Sequence, residues 1–188
     1  MNKAALRKKY LEKRKSLSQN QIDCLSKKIL ENFILQFNPI ENQKVHIFLP
    51  IKKFNEVNTL FFIDYFFSKK IQVYVPKMVE DNLIAIKLNQ NTILEKNSWG
   101  ILEPLGDEDS KISDYDFVIT PLLYCDRRGN RVGYGKGFYD NFFAQIASSC
   151  KRVGVGFFSP DENITDLYCT DVSLNFLVLP DEVLSFEF

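Results

Sequence analysis

The chain has 188 residues, 45% of them apolar and 26% charged, the balance of a globular protein with one buried core and not of a disordered one. Lys and Arg total 24, matched by 24 Asp and Glu, so no overall basic field points to nucleic acid or to an anionic membrane. The four cysteines lack CxxC spacing, and the greasiest run, Phe61 to Phe67, contains Asp64 and is far too short to span a bilayer; a cytoplasmic protein without a disulfide framework is expected.

Residues 2 to 16 and 19 to 37 read as helices. In the second, Ser18 and Gln21 have capping-box spacing, and Ile22, Leu25, Ile29, Phe33 and Phe37 form one apolar stripe. In the first, Lys3, Arg7, Tyr10 and Arg14 fall within an arc of roughly 60° at 3.6 residues per turn, with Leu6, Leu11 and Leu17 beside them. A freely solvated helix would separate its basic and apolar residues. The shared face predicts a helix that packs on the domain while its cationic tips reach an anion; a basic helix with snorkelling stems is the blander alternative. Val45 to Leu49, stopped by Pro50, reads as a strand, residues 57 to 69 as a helix, and Ile71 to Val75, stopped by Pro76, as a second strand. Leu83 to Leu88 is a further strand candidate, and Phe117 to Thr120, closed by Pro121, a buried one. Then come a glycine-strewn run, a helix over Phe138 to Ser148, a strand over Arg152 to Phe157, and strand candidates at Phe176 to Leu179 and Val183 to Phe188. The alternation predicts an α/β fold, one domain over residues 1–188, with a mainly parallel sheet covered on both faces. Ligands of such sheets sit at the carboxyl ends of the strands, where the glycine run falls.

That run is Gly129-Asn130-Arg131-Val132-Gly133-Tyr134-Gly135-Lys136-Gly137-Phe138-Tyr139-Asp140. Closely spaced glycines let backbone N–H groups converge on an anion, and a following helix adds its positive end. Arg131 and Lys136 supply formal charge, with Arg127 and Arg128 as further candidates. Neither a Walker A loop nor GxGxxG can be laid on the run. A plain surface turn needs one or two glycines, not three with a cation between them. Asp140 reads either as a helix-start carboxylate or as a Mg²⁺ ligand.

These segments together resemble the 5-formyltetrahydrofolate cyclo-ligase (5,10-methenyltetrahydrofolate synthetase) family. The resemblance is carried by Lys3-Ala4-Ala5-Leu6-Arg7, Ser16-Leu17-Ser18, Phe48-Leu49-Pro50 with Glu56 and Thr59, Tyr74-Val75-Pro76-Lys77, Trp99-Gly100-Ile101-Leu102-Glu103-Pro104 and, most specifically, Asp116 to Pro121 with Asp126 to Asp140. It implies a three-layer α/β/α domain of the NagB/RpiA-like kind. It also implies an ATP- and Mg²⁺-dependent ligase that closes 5-formyltetrahydrofolate to 5,10-methenyltetrahydrofolate, releasing ADP and phosphate. Carried over by position, ATP would meet Lys3, Ala4, Ala5, Leu6 and Arg7 and then Arg131, Val132, Gly133, Tyr134, Gly135, Lys136, Gly137, Phe138 and Tyr139. The folate would meet Leu49, Glu56, Trp99, Tyr134, Gly135, Lys136, Gly137 and Phe138. Magnesium would meet Asp140 and Asp171. Lys136 and Arg131 would be the catalytic cations, and their alanine variants are expected to lose turnover while staying folded. The partners implied are small molecules alone, with no nucleic acid or membrane, acting on a monomer.

Two departures from the family pattern stand out: Ile51-Lys52-Lys53-Phe54 lengthens the loop before Glu56, and Asn175 stands where a second acid is common. Tyr74 and Trp99 suit either ring stacking on the folate or core packing. His46 sits inside a strand pattern and is assigned no chemistry, and Cys125 reads as a buried thiol. A silent nucleotide or folate binder and a sugar-phosphate isomerase on a similar scaffold are the competing classes.

Overall fold

In a computed structural model the described residues are 1–79, 82–97, 100–106 and 108–186. Two helices come first, α1 over Lys3–Lys15 and α2 over Gln19–Phe37. The Ser18 hydroxyl accepts from the Gln21 amide and the Gln21 side chain accepts from the Ser18 amide, closing the predicted capping box. Asn38, at φ 40°, ends α2 in the left-handed conformation. Strand β1 (Lys44–Ile47) leads through a 3₁₀ turn at Lys52–Phe54 to α3 (Leu60–Ser68). Next are β2 (Gln72–Val79), β3 (Asn82–Leu88) and a small hairpin of β4 (Leu94–Lys96) with β5 (Leu102–Pro104). β6 (Phe117–Pro121) precedes a second small hairpin, β7 (Tyr124–Cys125) with β8 (Arg131–Val132). The chain closes with α4 (Phe138–Phe143), β9 (Lys151–Val155), β10 (Phe176–Val178) and β11 (Val183–Ser185).

Seven strands form one sheet in the order β11-β10-β9-β6-β1-β2-β3. The pairs β10–β9, β9–β6, β6–β1 and β1–β2 are parallel, and the outer pairs β10–β11 and β2–β3 are antiparallel. Alternate residues of the inner strands feed two cores. Val45, Ile47, Val73, Phe117, Ile119 and Val153 face α2 and α3, packing on Phe33, Phe62 and Phe66. Tyr74, Val118 and Leu177 face the other way, against Phe142 and Phe143 of α4. The sheet is therefore buried on both faces, as the near-continuous apolar strands require. The four cysteines are unpaired.

The predicted helix over Phe138 to Ser148 ends at Phe143. The Gln145 amide bonds Phe142 O and the Ala147 amide bonds Ser113 O, so a tertiary partner replaces the helical one even though Ile146 keeps helical spacing. Residues 187 and 188, predicted as strand, lie outside the described residues.

His46, on β1, is fully buried against the rings of Tyr115, Tyr139 and Phe142, and neither ring nitrogen has a hydrogen-bond partner among the described residues. Burial pushes its pKa down to about 3. The unfolded chain takes up this proton near pH 6.5 while the folded protein refuses it until about pH 3, so stability falls as pH drops through that window. The expected slope from this residue is about 1.4 kcal/mol per pH unit. His46→Leu is expected to flatten the acid dependence between pH 6 and pH 4 in urea unfolding followed by circular dichroism; an unchanged slope would assign the acid sensitivity to other groups.

Candidate active site

The chain leaves β1 toward β2 through α3, and leaves β6 toward β9 through α4, on opposite faces of the sheet. The order of strands thus reverses between β1 and β6, which makes the carboxyl ends of this pair the switch point where open α/β sheets bind ligands. Three segments meet there: the loop after β1 that carries Glu56, the glycine run that contains β8, and helix α1.

Helix α1 docks through Leu6 and Tyr10, both buried with Leu123, Tyr124, Val132 and Ile164. The Tyr10 and Tyr124 rings stack at 4.3 Å, and both hydroxyls engage Glu162, Tyr10 through the side chain and Tyr124 through the main chain. This docking turns the basic face onto the glycine run. Arg7 Nε donates to Gly133 O at 2.9 Å, and a Cβ on Gly135 would stand 3.2 Å from the Arg7 guanidinium, so Gly135 leaves room for the cation. Lys3 Nζ pairs with Asp171 Oδ2 and lies 4.8 Å from the Tyr168 ring centroid, while the Lys3 amide donates to Asp166. Ala4 and Ala5 are exposed beside them, whereas the side chains of Leu6 and Val132 belong to the packing beneath.

The base of the glycine run is fixed by Asp126, which is buried. Its carboxylate accepts from the amides of Arg128, Asn130 and Ile164 and from the Asn130 side chain. Gly129 has φ 76°, and a Cβ there would meet Leu174 O at 2.8 Å, so the turn demands glycine on both counts. Above this base, Gly135, Lys136 and Gly137 are exposed. Among the described residues Lys136 makes no hydrogen bond or ion pair. Gly137, at φ 69°, opens α4, and Phe138 and Tyr139 follow half-buried, with the Tyr139 hydroxyl unpartnered among the described residues.

Arg131 is placed differently from its neighbour cation. Its side chain is 7% exposed, bonds Val172 O, pairs with Asp140 Oδ1 at 2.7 Å and lies over the Phe143 ring. Burial lowers its pKa, and Asp140 opposes that shift. The expectation of an Arg131 variant that stays folded is revised on this ground: the guanidinium is part of the packing.

Asp140 Oδ1 also accepts from the Val172 amide, and Asp171 Oδ2 from the Tyr168 amide. Both proposed metal ligands therefore border the 171–172 segment. The second oxygen of each carboxylate makes no hydrogen bond among the described residues. No group of three or more His, Cys, Asp or Glu suited to a metal occurs among those residues, but Mg²⁺ needs only one or two carboxylates when phosphate oxygens and water complete its shell. Asn175 stands apart from this region: it accepts from the Arg152 and Phe186 amides and joins β9 to the last two strands.

On the β1 side, the lengthened loop forms the 3₁₀ turn and bends back, so that the Ile51 amide donates to Glu56 Oε2 at 2.7 Å. Glu56 is 4% exposed, and the Tyr134 hydroxyl donates to its other oxygen at 2.7 Å. Burial raises the Glu56 pKa, while Arg14 and these two hydrogen bonds counter it. Phe54 lies beside the Tyr134 ring at 5.1 Å. Leu49 is a core residue directly under this loop, and Tyr74 is buried against Tyr115, which settles its place as packing. Cys125 is buried, with its thiol pKa raised by burial. Trp99 lies outside the described residues. Arg14 was legible as part of the basic arc of α1, but its contacts with Tyr134 and Leu122, on segments more than a hundred residues away, carry no local signal.

Residues 1–176 match the model of the 5-formyltetrahydrofolate cyclo-ligase family. A 5-formyltetrahydrofolate cyclo-ligase of Mycoplasma pneumoniae is 30% identical over 97% of this chain and 100% of its own length. Among solved structures, the NMR structure of Aquifex aeolicus 5,10-methenyltetrahydrofolate synthetase superposes with a TM-score of 0.84 at 27% identity, covering 100% of this chain and 94% of that one. A 5,10-methenyltetrahydrofolate synthetase from Mycoplasma pneumoniae superposes with a TM-score of 0.73 at 26% identity, over 96% of this chain and 99% of that one.

Proposed function

The chain belongs to the 5-formyltetrahydrofolate cyclo-ligase family, and on that premise we propose that it closes 5-formyltetrahydrofolate to 5,10-methenyltetrahydrofolate while converting ATP to ADP and phosphate. The observation that carries the reading is the meeting of α1, the glycine run and the Glu56 loop at the sheet's switch point, with Lys136 at its rim unpaired among the described residues.

The chemical obstacle is the formyl oxygen, which does not leave as hydroxide at neutral pH. Transfer of the ATP γ-phosphoryl group to that oxygen makes it a phosphate ester of an imidate. Nitrogen 10 of the folate then attacks the formyl carbon and releases its proton to solvent, and the C–O bond breaks as phosphate departs and the five-membered ring closes. Phosphoryl transfer asks the protein mainly for position and charge stabilisation. Lys136 and the amides around Gly135 and Gly137 are suited to the γ-phosphate, and Lys3 and Arg7 to the rest of the triphosphate. Glu56 accepts from the N–H edge of the folate. Asp140 and Asp171 would hold Mg²⁺, which when bound neutralises phosphate charge.

No helix among the described residues is long and apolar enough to cross a membrane, and the unpaired cysteines suit a reducing compartment; a cytoplasmic monomer acting on small molecules fits both. The test is incubation with 5-formyltetrahydrofolate, ATP and Mg²⁺, following methenyl product by absorbance and phosphate by release. Product in proportion to phosphate is expected. Saturable binding without phosphate release would mark a silent binder instead.

A further inference from the structure

Arg14 has no part in the phosphate or metal contacts described above, yet it is 2% exposed and its guanidinium makes three hydrogen bonds. Its Nη2 donates to Leu122 O, just past the end of β6. Its Nη1 donates to Phe54 O at 3.3 Å and to the Tyr134 hydroxyl at 3.1 Å. The Tyr134 hydroxyl donates in turn to Glu56 Oε1 at 2.7 Å. A buried cation, a phenol and a buried carboxylate thus stand in series, each hydrogen bond polarising the next. The two carbonyls anchor the guanidinium. They do not account for its third bond, to a hydroxyl whose own proton is committed to the carboxylate.

We propose that Arg14 is a positioning residue that acts through Tyr134 to set the direction and the charge of the Glu56 carboxylate, which receives the N–H edge of the reduced folate. This rests on the folate-ligase reading. A carboxylate as buried as Glu56 favours its neutral form unless a cation is near. Among the described residues the groups facing it are Arg14 from α1, Tyr134 and Tyr139 from the glycine run and the start of α4, and the Ile51 amide; Arg14 is the cation among them. The basic arc of α1 therefore divides its labour, Lys3 and Arg7 turning to the phosphate side and Arg14 to the substrate side.

Steady-state kinetics of the wild type, Arg14→Met, Arg14→Lys and Tyr134→Phe, with folate and ATP varied separately between pH 5.5 and 8.5, test this. Arg14→Met is expected to raise KM for the folate about tenfold or more, as truncating one member of a buried charge network does, and to leave KM for ATP within about twofold. The acidic limb of kcat/KM for the folate is expected to move to higher pH, because loss of the cation favours the protonated carboxyl. Arg14→Lys, which keeps the charge and loses the planar fork, is expected to restore the limb more fully than KM. Tyr134→Phe breaks the series without removing the cation, and a KM rise of about three- to tenfold is expected. Should Arg14→Met fail to fold, the lysine and phenylalanine variants carry the same readouts. If both leave the folate KM and the acidic limb at wild-type values, or lower only the Tm, Arg14 is structural and the proposal is overturned. A wild type that forms no product removes the folate-ligase reading itself, and with it this inference, whereas an active wild type with unmoved variants removes the inference alone.

Discussion

Replacement of Lys136 by alanine is expected to lower kcat by about 10²- to 10³-fold, the range for losing one preorganised group that meets developing charge. The argument rests on where the residue stands. Lys136 is exposed between Gly135 at φ 91° and Gly137 at φ 69°, and it contributes no hydrogen bond or ion pair to the described fold. No described residue pairs with its charge, so stability is expected to change by no more than about 0.5 kcal/mol. Kinetics with saturating ATP and folate, set beside urea unfolding, separate the two quantities. A kcat close to the wild type's would take Lys136 out of the reaction and leave the glycine run a purely backbone cradle.

Arg131→Ala is expected to lose turnover as well, but by a different route and with a measurable cost in stability. The guanidinium joins Asp140 to Val172 O while its plane lies over Phe143. Removing it leaves a half-buried carboxylate without its cation and a carbonyl without its donor. The expected loss is about 3 kcal/mol, the lower end for breaking a buried pair from one side. Asp140→Ala removes the opposite partner, and the double variant is expected to be no less stable than Arg131→Ala alone, which a double-mutant cycle in urea measures. Strict additivity would show that the two side chains act independently and that the pair is incidental to the position of the glycine run.

These variants also mark what could be read from the chain. The bounds of α2 were legible because a capping box, a continuous stripe and an asparagine at the end agree locally. The inner parallel strands were legible from their apolar runs, but Pro76 does not stop β2 as expected: the strand continues through it to Val79, paired with β3. The hairpins β4–β5 and β7–β8 were not, since strands of two or three residues carry no periodicity. α4 was read too long because Ile146 keeps the helical interval while the backbone turns to Ser113. At the site, residue types were legible and pairings were not. Glycines with cations suggested an anion site, and only folding decides that Arg131 faces Asp140, that Lys3 faces Asp171, and that Lys136 faces neither among the described residues. The loop before Glu56 looked like a disturbance in the sequence, whereas in the fold it supplies the Ile51 amide and the Phe54 ring that hold Glu56 and Tyr134.

The docking of α1 has a bearing on how the protein matures. The Arg7–Gly133 bond joins positions 126 apart and the Lys3–Asp171 pair positions 168 apart, so this helix waits for nearly the whole chain before it finds its seat. Closing such long loops is slow compared with pairing β2 and β3, which are adjacent in sequence. On the proposed reading the site is thus completed as a late assembly event, after most of the sheet has formed.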